Sequence, residues 1–324
     1  MKRRLLYLLG LSLIAGAFAC GPEEDGNNGE PTGPQPFSED CTTTIEPQDT
    51  PENNVREFNQ AIMDVSEGGV LCMLDGTYEL NGQLTLNTGN GIEMRGQSQA
   101  GTILDFALQG EEGGSGANGI LAEGINDIRF AEFTIKNTAG DAIKAQDADG
   151  VEMVNLTVDW DEGRNSNNGA YGLYPVLSTN VLVEGCTVRH ASDAGIYLGQ
   201  SDTAILRNNV AENNVAGIEI ENTINAEVHN NTATGNTGGI LIFNLPGLTM
   251  YGEGNKVHTN TVVDNNGRNF ASGGIVSNVP PGTGIFILAM DGNEIHDNEV
   301  TGNKSIGLAI LAYEGPLASL EGEP

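Results

Sequence analysis

Residues 205–223 read ILRNNVAENNVAGIEIENT, and residues 226–244 read AEVHNNTATGNTGGILIFN. The two stretches agree column by column: Leu206 with Val228, Asn209 with Asn231, Ala211 with Ala233, Gly217-Ile218 with Gly239-Ile240. Working outward, the Gly-(Ile/Leu) pair recurs at Gly119-Ile120, Gly172-Leu173, Gly195-Ile196, Gly284-Ile285 and Gly307-Leu308, with Ala142-Ile143 in the one missing place. The intervals are 23, 30, 23, 22, 22, 45 and 23 residues, so the unit is about 22 residues with insertions before Leu173 and between Ile240 and Ile285. Apolar residues alternate after each opening (Ile120/Ala122, Ile196/Leu198, Ile218/Ile220, Ile240/Ile242, Ile285/Ile287), which is the period of a strand. A second apolar column stands ten residues on (Phe130, Met153, Val183, Leu206, Val228, Ile295) and a third fifteen on (Ile135, Val158, Val188, Ala211, Ala233, Val300). Between them lies a column of Phe133, Leu156, Cys186, Asn209, Asn231, Asn260 and Asn298. Asn accepts the left-handed backbone of a tight bend, and stacked Asn side chains hydrogen-bond one another.

Three short strands per turn, stacked in parallel with coils about 4.8 Å apart, make an all-β right-handed parallel β-helix. Residues 53–66 (NNVREFNQAIMDVS) fit a capping helix with Val55, Phe58, Ile62 and Val65 on one face, covering the open end of the first coil. At the other end, residues 308–311 read as a strand with no cap seen after it, so the expectation is either a truncated chain or a partner or second copy over that edge.

The chain has 324 residues with 14 basic and 44 acidic side chains, a net charge of 14 − 44 = −30. Nucleic acid is excluded as a partner, since its phosphates demand Lys and Arg. A polyanion would need a bridging divalent cation. Hydrophobic residues make up 38% of the chain, low for a single compact core of this length but suited to the thin core of a solenoid.

Residues 1–19 read as a secretory signal: Lys2, Arg3 and Arg4, then an apolar run from Leu5 to Phe18 too short for a comfortable membrane span. Ala17-Phe18-Ala19-Cys20 resembles a bacterial lipoprotein cleavage box, which implies acylation of Cys20 and an exported, membrane-anchored protein facing the periplasm or the cell surface. Ordinary signal cleavage is the alternative. Residues 20–40 then form a lipidated N-terminus and a polar, Gly/Pro-rich tether, and residues 41–324 the β-helix. In an oxidising compartment Cys41 and Cys72 are expected to pair, with Cys186 a buried free thiol. No zinc-finger spacing of Cys and His occurs.

The repeats quoted above resemble the pectin-lyase-like superfamily of right-handed β-helix proteins over residues 41–315, most closely its carbohydrate-active and NosD-like members. The resemblance is specific for fold; the superfamily includes lyases, hydrolases, epimerases and non-enzymatic proteins. In its enzymes the cleft is the outer face of the first strand. Here the outward residues of that strand are Leu121, Lys144, Tyr174, Tyr197, Glu219, Leu241, Phe286 and Ala309, with Glu221 on the same face.

Lys144, Tyr174, Tyr197 and Glu219 are therefore the candidate catalytic residues. Trp160, Tyr171, Arg189 and Glu221 are the candidate substrate-binding residues, the aromatic rings suiting sugar faces. For a lyase or epimerase, Lys144 or Tyr174 would be the base, Tyr197 the acid, and Lys144, Arg189 or a Ca²⁺ held by Asp141, Asp193 and Glu219 the neutraliser of a uronate. For a hydrolase, Glu219 and Glu221 would be the carboxylate pair. The expected function is binding of a polysaccharide along this face and its processing, by lyase or epimerase chemistry before hydrolysis. The alternative is a non-enzymatic scaffold for a protein partner or a metal.

Two further features bear on that choice. His229, His258 and His296 share a column and would lie about 5 Å apart, and His190 lies near the groove. Leu241, Phe243, Phe286 and Leu288 point outward, so the later coils must be covered by residues 243–254, residues 267–284 or a partner.

Overall fold

The computed structural model describes residues 37–312 except residue 67 and residues 111–114. The signal, Cys20 and most of the tether lie outside the described residues. The described chain coils into three parallel sheets of ten, nine and nine strands. The opening sheet carries the strands that begin at the Gly-(Ile/Leu) pairs, from Gly82–Leu86 to Ile306–Leu311. The second sheet runs from Thr43–Ile45 to Glu294–His296, and the third from Gly76–Glu79 to Glu299–Thr301. Every strand pairing is parallel, and neighbours pair one coil apart: Ile196 with Ile218, Leu206 with Val228, Ala211 with Ala233.

The inward columns stack into one continuous core in which Ile143, Leu173, Ile196, Ile218, Ile240 and Ile285 are fully buried. Two Asn ladders line its corners. Each side-chain amide of Asn209, Asn231 and Asn260 donates to the Oδ1 of the next Asn at 2.9, 3.0 and 2.9 Å and to a core carbonyl. The same Oδ1 atoms accept backbone N–H groups, beginning with Cys186 N at 2.9 Å. The second ladder, Asn214–Asn236–Asn265–Asn303, turns the chain from the third sheet back to the opening sheet. The expected left-handed residues are not the ladder Asn residues themselves but the ones before them: Asn208, Asn230, Thr259 and Asp297 have φ of 52–58°. The bend places the preceding residue outward in solvent, and the ladder Asn then turns into the core.

The N-terminal helix spans Pro51–Asp64, two residues earlier at each end than the sequence reading, because Thr50 caps it and accepts Asn53 N at 3.2 Å with Pro51 in the first turn. Phe58, Ile62 and Val65 are buried, and Phe58 meets Tyr78 edge to face at 5.4 Å. Cys41 and Cys72 form a disulfide beneath this cap, closing a separation of 31 residues, and Cys186 is a buried free thiol. At the far end Leu308, Ile310 and Leu311 remain 51%, 69% and 42% exposed.

Candidate functional site: an acidic, tyrosine-lined face of the opening sheet

Strand pairing builds the expected column. Lys144 lies opposite Tyr174, and Tyr197 opposite Glu219. The pairs Leu173–Ile196 and Val176–Gly199 set Tyr174 above Tyr197. The Lys144 ammonium sits 5.0 Å from the Tyr174 ring centroid, a cation–π contact. Tyr171 comes in from the end of the 160–171 loop, and the three tyrosines pack with centroids 4.6, 4.6 and 4.8 Å apart. Gly199 is required here, since a Cβ would collide with the Tyr197 ring. Glu221 follows Glu219 on the same face, opposite Gly199. Asp193 lies just before its strand, and Asp141, just before Ile143, accepts Tyr171 N at 3.3 Å.

The column is not one open groove. Asp141, Lys144, Tyr171, Tyr174 and Asp193 keep part of their surface in solvent, whereas Tyr197 and Glu219 are only 4% and 2% exposed. The expectation that Tyr197 and Glu219 face a solvent-filled channel is corrected by the segment between Val263 and Thr283. Its Phe270 and Val276 are buried against Leu241, Phe243 and Leu288, forming a second apolar cluster outside the stack. This is the cover that the outward apolar residues required, and it comes from the chain itself. Beneath it lies a cavity of about 360 Å³ lined by Leu241, Phe243, Val276, Val279 and Leu288, with Glu219 in its wall.

Burial and mutual repulsion dominate the charges. Asp141 is pushed up to about 6 by burial, against the pull of Tyr171 N–H and Lys144. Asp193 is pushed up to about 7 by burial and by Glu221, with the Tyr171 hydroxyl working the other way. Glu219 is raised well above the carboxylate range by burial, Asp193 and Glu221. Burial also raises Glu221, partly offset by the Tyr197 hydroxyl beside it. Tyr174 is pushed up to about 12 by burial and the nearby acids, and Tyr171 and Tyr197 are raised further still. One oxygen each of Asp193 and Glu219 is buried without a hydrogen-bond partner. Such a set favours carboxyl groups that hold protons near neutrality, and it disfavours a tyrosinate base.

Other residues marked in the sequence lie elsewhere. Trp160 is not a sugar platform: it is 3% exposed in the core, and its Nε1 donates to Thr138 O at 2.8 Å. The loop after it folds along the coils, where Arg164 reaches Asn213 Oδ1 at 2.8 Å. Arg189 sits on the third sheet, paired with Glu212 and near Asp159 at 4.0 Å, so its charge is already matched away from the tyrosines. His190 contacts Asp159 Oδ1 at 2.7 Å. His229, His258 and His296 stack on the second sheet with centroids 5.1 and 4.9 Å apart and rings within 4° of parallel. Among the described residues no group of three or more His, Cys, Asp or Glu side chains is arranged to hold a metal ion, neither the His ladder nor Asp141, Asp193 and Glu219 together. Of the covers expected for the outward apolar residues, residues 267–284 are the ones that supply it; that they also bury Tyr197 and Glu219 carried no sequence signal, because a single-copy insertion has no period to reveal its packing.

Comparison with solved structures finds the same architecture in carbohydrate enzymes. An exopolygalacturonase of Yersinia enterocolitica is 12% identical over 84% of this chain and 68% of its own, with a TM-score of 0.59. A polygalacturonase of Erwinia carotovora is 11% identical over 85% and 99%, with a TM-score of 0.53. The DFA-IIIase of Arthrobacter chlorophenolicus is 11% identical over 84% and 94%, with a TM-score of 0.51. At these identities the likeness is one of fold. No curated protein sequence matches the chain. The family model for the right handed beta helix region matches residues 86–251 and 166–317, and with the coils, ladders and three parallel sheets described above, the chain belongs to that family.

Proposed function

We propose that the protein is an exported, lipid-anchored β-helix protein that binds a glycan at the tyrosine face of the opening sheet and hydrolyses a glycosidic bond there. The carrying observation is a set of buried carboxyl groups beside partly exposed Tyr171 and Tyr174, with Asp141 and Asp193 raised to about 6 and about 7 and Glu221 raised less freely against the Tyr197 hydroxyl. Tyrosine rings suit the C–H faces of sugars, and hydrolysis needs one protonated and one ionised carboxyl group. Asp193 fits the acid, its proton passing to the leaving oxygen as the glycosidic bond breaks. Glu221, whose anion is stabilised by the Tyr197 hydroxyl, fits the base that takes a proton from the attacking water. Lyase or epimerase chemistry is less well supported. Its tyrosine base would have to ionise among acids, and among the described residues Lys144 alone is placed over these tyrosines to meet a uronate. A Ca²⁺ ion stays an expectation through which no step runs.

Export and anchoring rest on residues 1–20, and the Cys41–Cys72 disulfide supports an oxidising compartment. A scaffold role, with a protein partner at the C-terminal edge, draws support from the exposed Leu308, Ile310 and Leu311. The deciding experiment incubates the purified protein, with and without Ca²⁺, with neutral and uronate polysaccharides. Reducing ends and absorbance near 235 nm are both followed. Reducing ends lost in Asp193→Asn and Glu221→Gln support hydrolysis. New absorbance lost in Tyr174→Phe would replace it with a lyase, and silence with every glycan would favour the scaffold.

A further inference from the structure

The cavity beneath residues 270–280 is a different environment from the open mouth at Asp141 and Lys144. Its walls are apolar, with Leu241, Phe243 and Leu288 from the stack and Val276 and Val279 from the covering segment. Into this wall projects one acidic side chain. Glu219 is 2% exposed, and its Oε1 has no hydrogen-bond partner. A lone carboxylate on an apolar wall is costly, and the two nearest charges, Asp193 and Glu221, are acids that increase the cost. The nearest lysine on this face, Lys144, is held over the Tyr174 ring, three coils from Glu219 along the column.

What the cavity lacks is a positive charge carried by an apolar body. We infer that it is a binding site for a small organic ammonium ion, its charged head on Glu219 and its hydrocarbon or aromatic body among Leu241, Phe243, Val276 and Leu288. A metal ion does not suit the walls, because hard cations need several oxygen ligands and no such set exists among the described residues. An anionic amphiphile would meet three acids. A neutral alcohol would fill the space and gain one hydrogen bond but leave the charge cluster unrelieved. Phe243 and Phe286 in the lining add aromatic rings, a side-chain type that attracts cations. The volume of about 360 Å³ holds a body the size of a substituted benzene. This inference stands apart from the glycan reading, whose acid and base are Asp193 and Glu221.

Calorimetric titration of the full protein at pH 7.5 with benzylammonium, benzyl alcohol and phenylacetate tests it. Benzylammonium is expected to bind at least about tenfold more tightly than benzyl alcohol, the range of a hydrogen bond to a charged group, and phenylacetate not at all. Because the acid must give up its proton to pair, the heat should vary between buffers of different ionisation enthalpy, reporting proton release. Glu219→Gln should remove the preference for the ammonium while leaving benzyl alcohol within about twofold, which also shows that the variant is folded. Val279→Phe, which fills the cavity from the covering segment, should weaken both ligands. Equal affinity for ammonium and alcohol, or an ammonium preference that survives Glu219→Gln, would overturn the inference. Glycan hydrolysis in Glu221→Gln is read separately, so failure of either reading leaves the other to its own result.

Discussion

The outer faces of the opening sheet and the second sheet are made from the same coils, yet they treat charge in opposite ways. On the second sheet Glu93, Glu152, Glu184 and Glu227 each have a base beside them. Arg129 bridges Glu93 at 3.4 Å and Glu152, Arg207 meets Glu184 at 2.8 Å, and His258 Nε2 meets Glu227 at 3.0 Å. Hydrogen bonds from Arg207 and His258 accordingly hold Glu184 and Glu227 below the usual carboxylate range. On the opening sheet Asp141 lies at the open mouth beside Lys144, Asp193, Glu219 and Glu221 lie deeper among the tyrosines and the covering segment, and all four are raised. A parallel coil can match charges by register alone, as the second sheet does. The opening sheet therefore departs from what the repeat readily supplies, and that departure, rather than the mere presence of acids, marks the site.

The comparison breaks most readily at the reaction itself. Glu221→Gln is expected to lower reducing-end release by at least about a hundredfold, the usual loss for a general base, while Glu227→Gln on the second sheet leaves the rate within about twofold. Equal losses would erase the distinction between the faces. Next in size is stability. Glu219→Gln should raise the unfolding free energy at pH 8 by about 2 kcal/mol, because it removes an ionisable group that is buried unpaired, and by less at pH 5, where the carboxyl is protonated in any case. Denaturant melts at the two pH values check this.

A pH series sharpens the same contrast. Because Asp141 and Asp193 are raised, to about 6 and about 7, the folded state holds their protons more tightly than the unfolded chain does. Their contribution to stability is full below the unfolded carboxylate range and is lost as pH rises through 6 and 7, so the Tm should climb as pH falls from 8 toward 5. Asp193→Asn should flatten that slope, whereas Glu184→Gln, on a lowered group, should leave it unchanged. The smallest effect belongs to the exposed pairs: Arg207→Ala should leave the midpoint of a denaturant melt nearly unchanged.

Much of this was legible in the residues. The 22-residue spacing gave the coil, and the period-two alternation gave the register that sets Lys144, Tyr174, Tyr197 and Glu219 in one column. The Cys41–Cys72 pair followed from compartment and position. What the spacing could not carry was burial imposed by insertions. Trp160 opens a loop, and nothing local says whether its indole turns outward or, as found, inward onto Thr138 O. Phe270 and Val276 lie in a segment that occurs once, so their packing on Leu241 and Phe243 has no periodic signal, and Glu219 was consequently read as open to solvent. The second ladder was present in the sequence as Asn214, Asn236, Asn265 and Asn303, four residues in the register of the first, and needed only a further column to be aligned.

Asp141, Asp193, Glu219 and Glu221 on the opening sheet are held above the ordinary carboxylate range, while Glu184 and Glu227 on the second sheet are held below it. Carboxyl ¹³C NMR titration of the protein, with Asp141→Asn, Asp193→Asn, Glu221→Gln and Glu227→Gln for assignment, measures this contrast directly. The account predicts Asp141 titrating near 6, Asp193 near 7, Glu221 above the ordinary range, and Glu184 and Glu227 below it. Ordinary midpoints near 4 for carboxyls on both faces would contradict it.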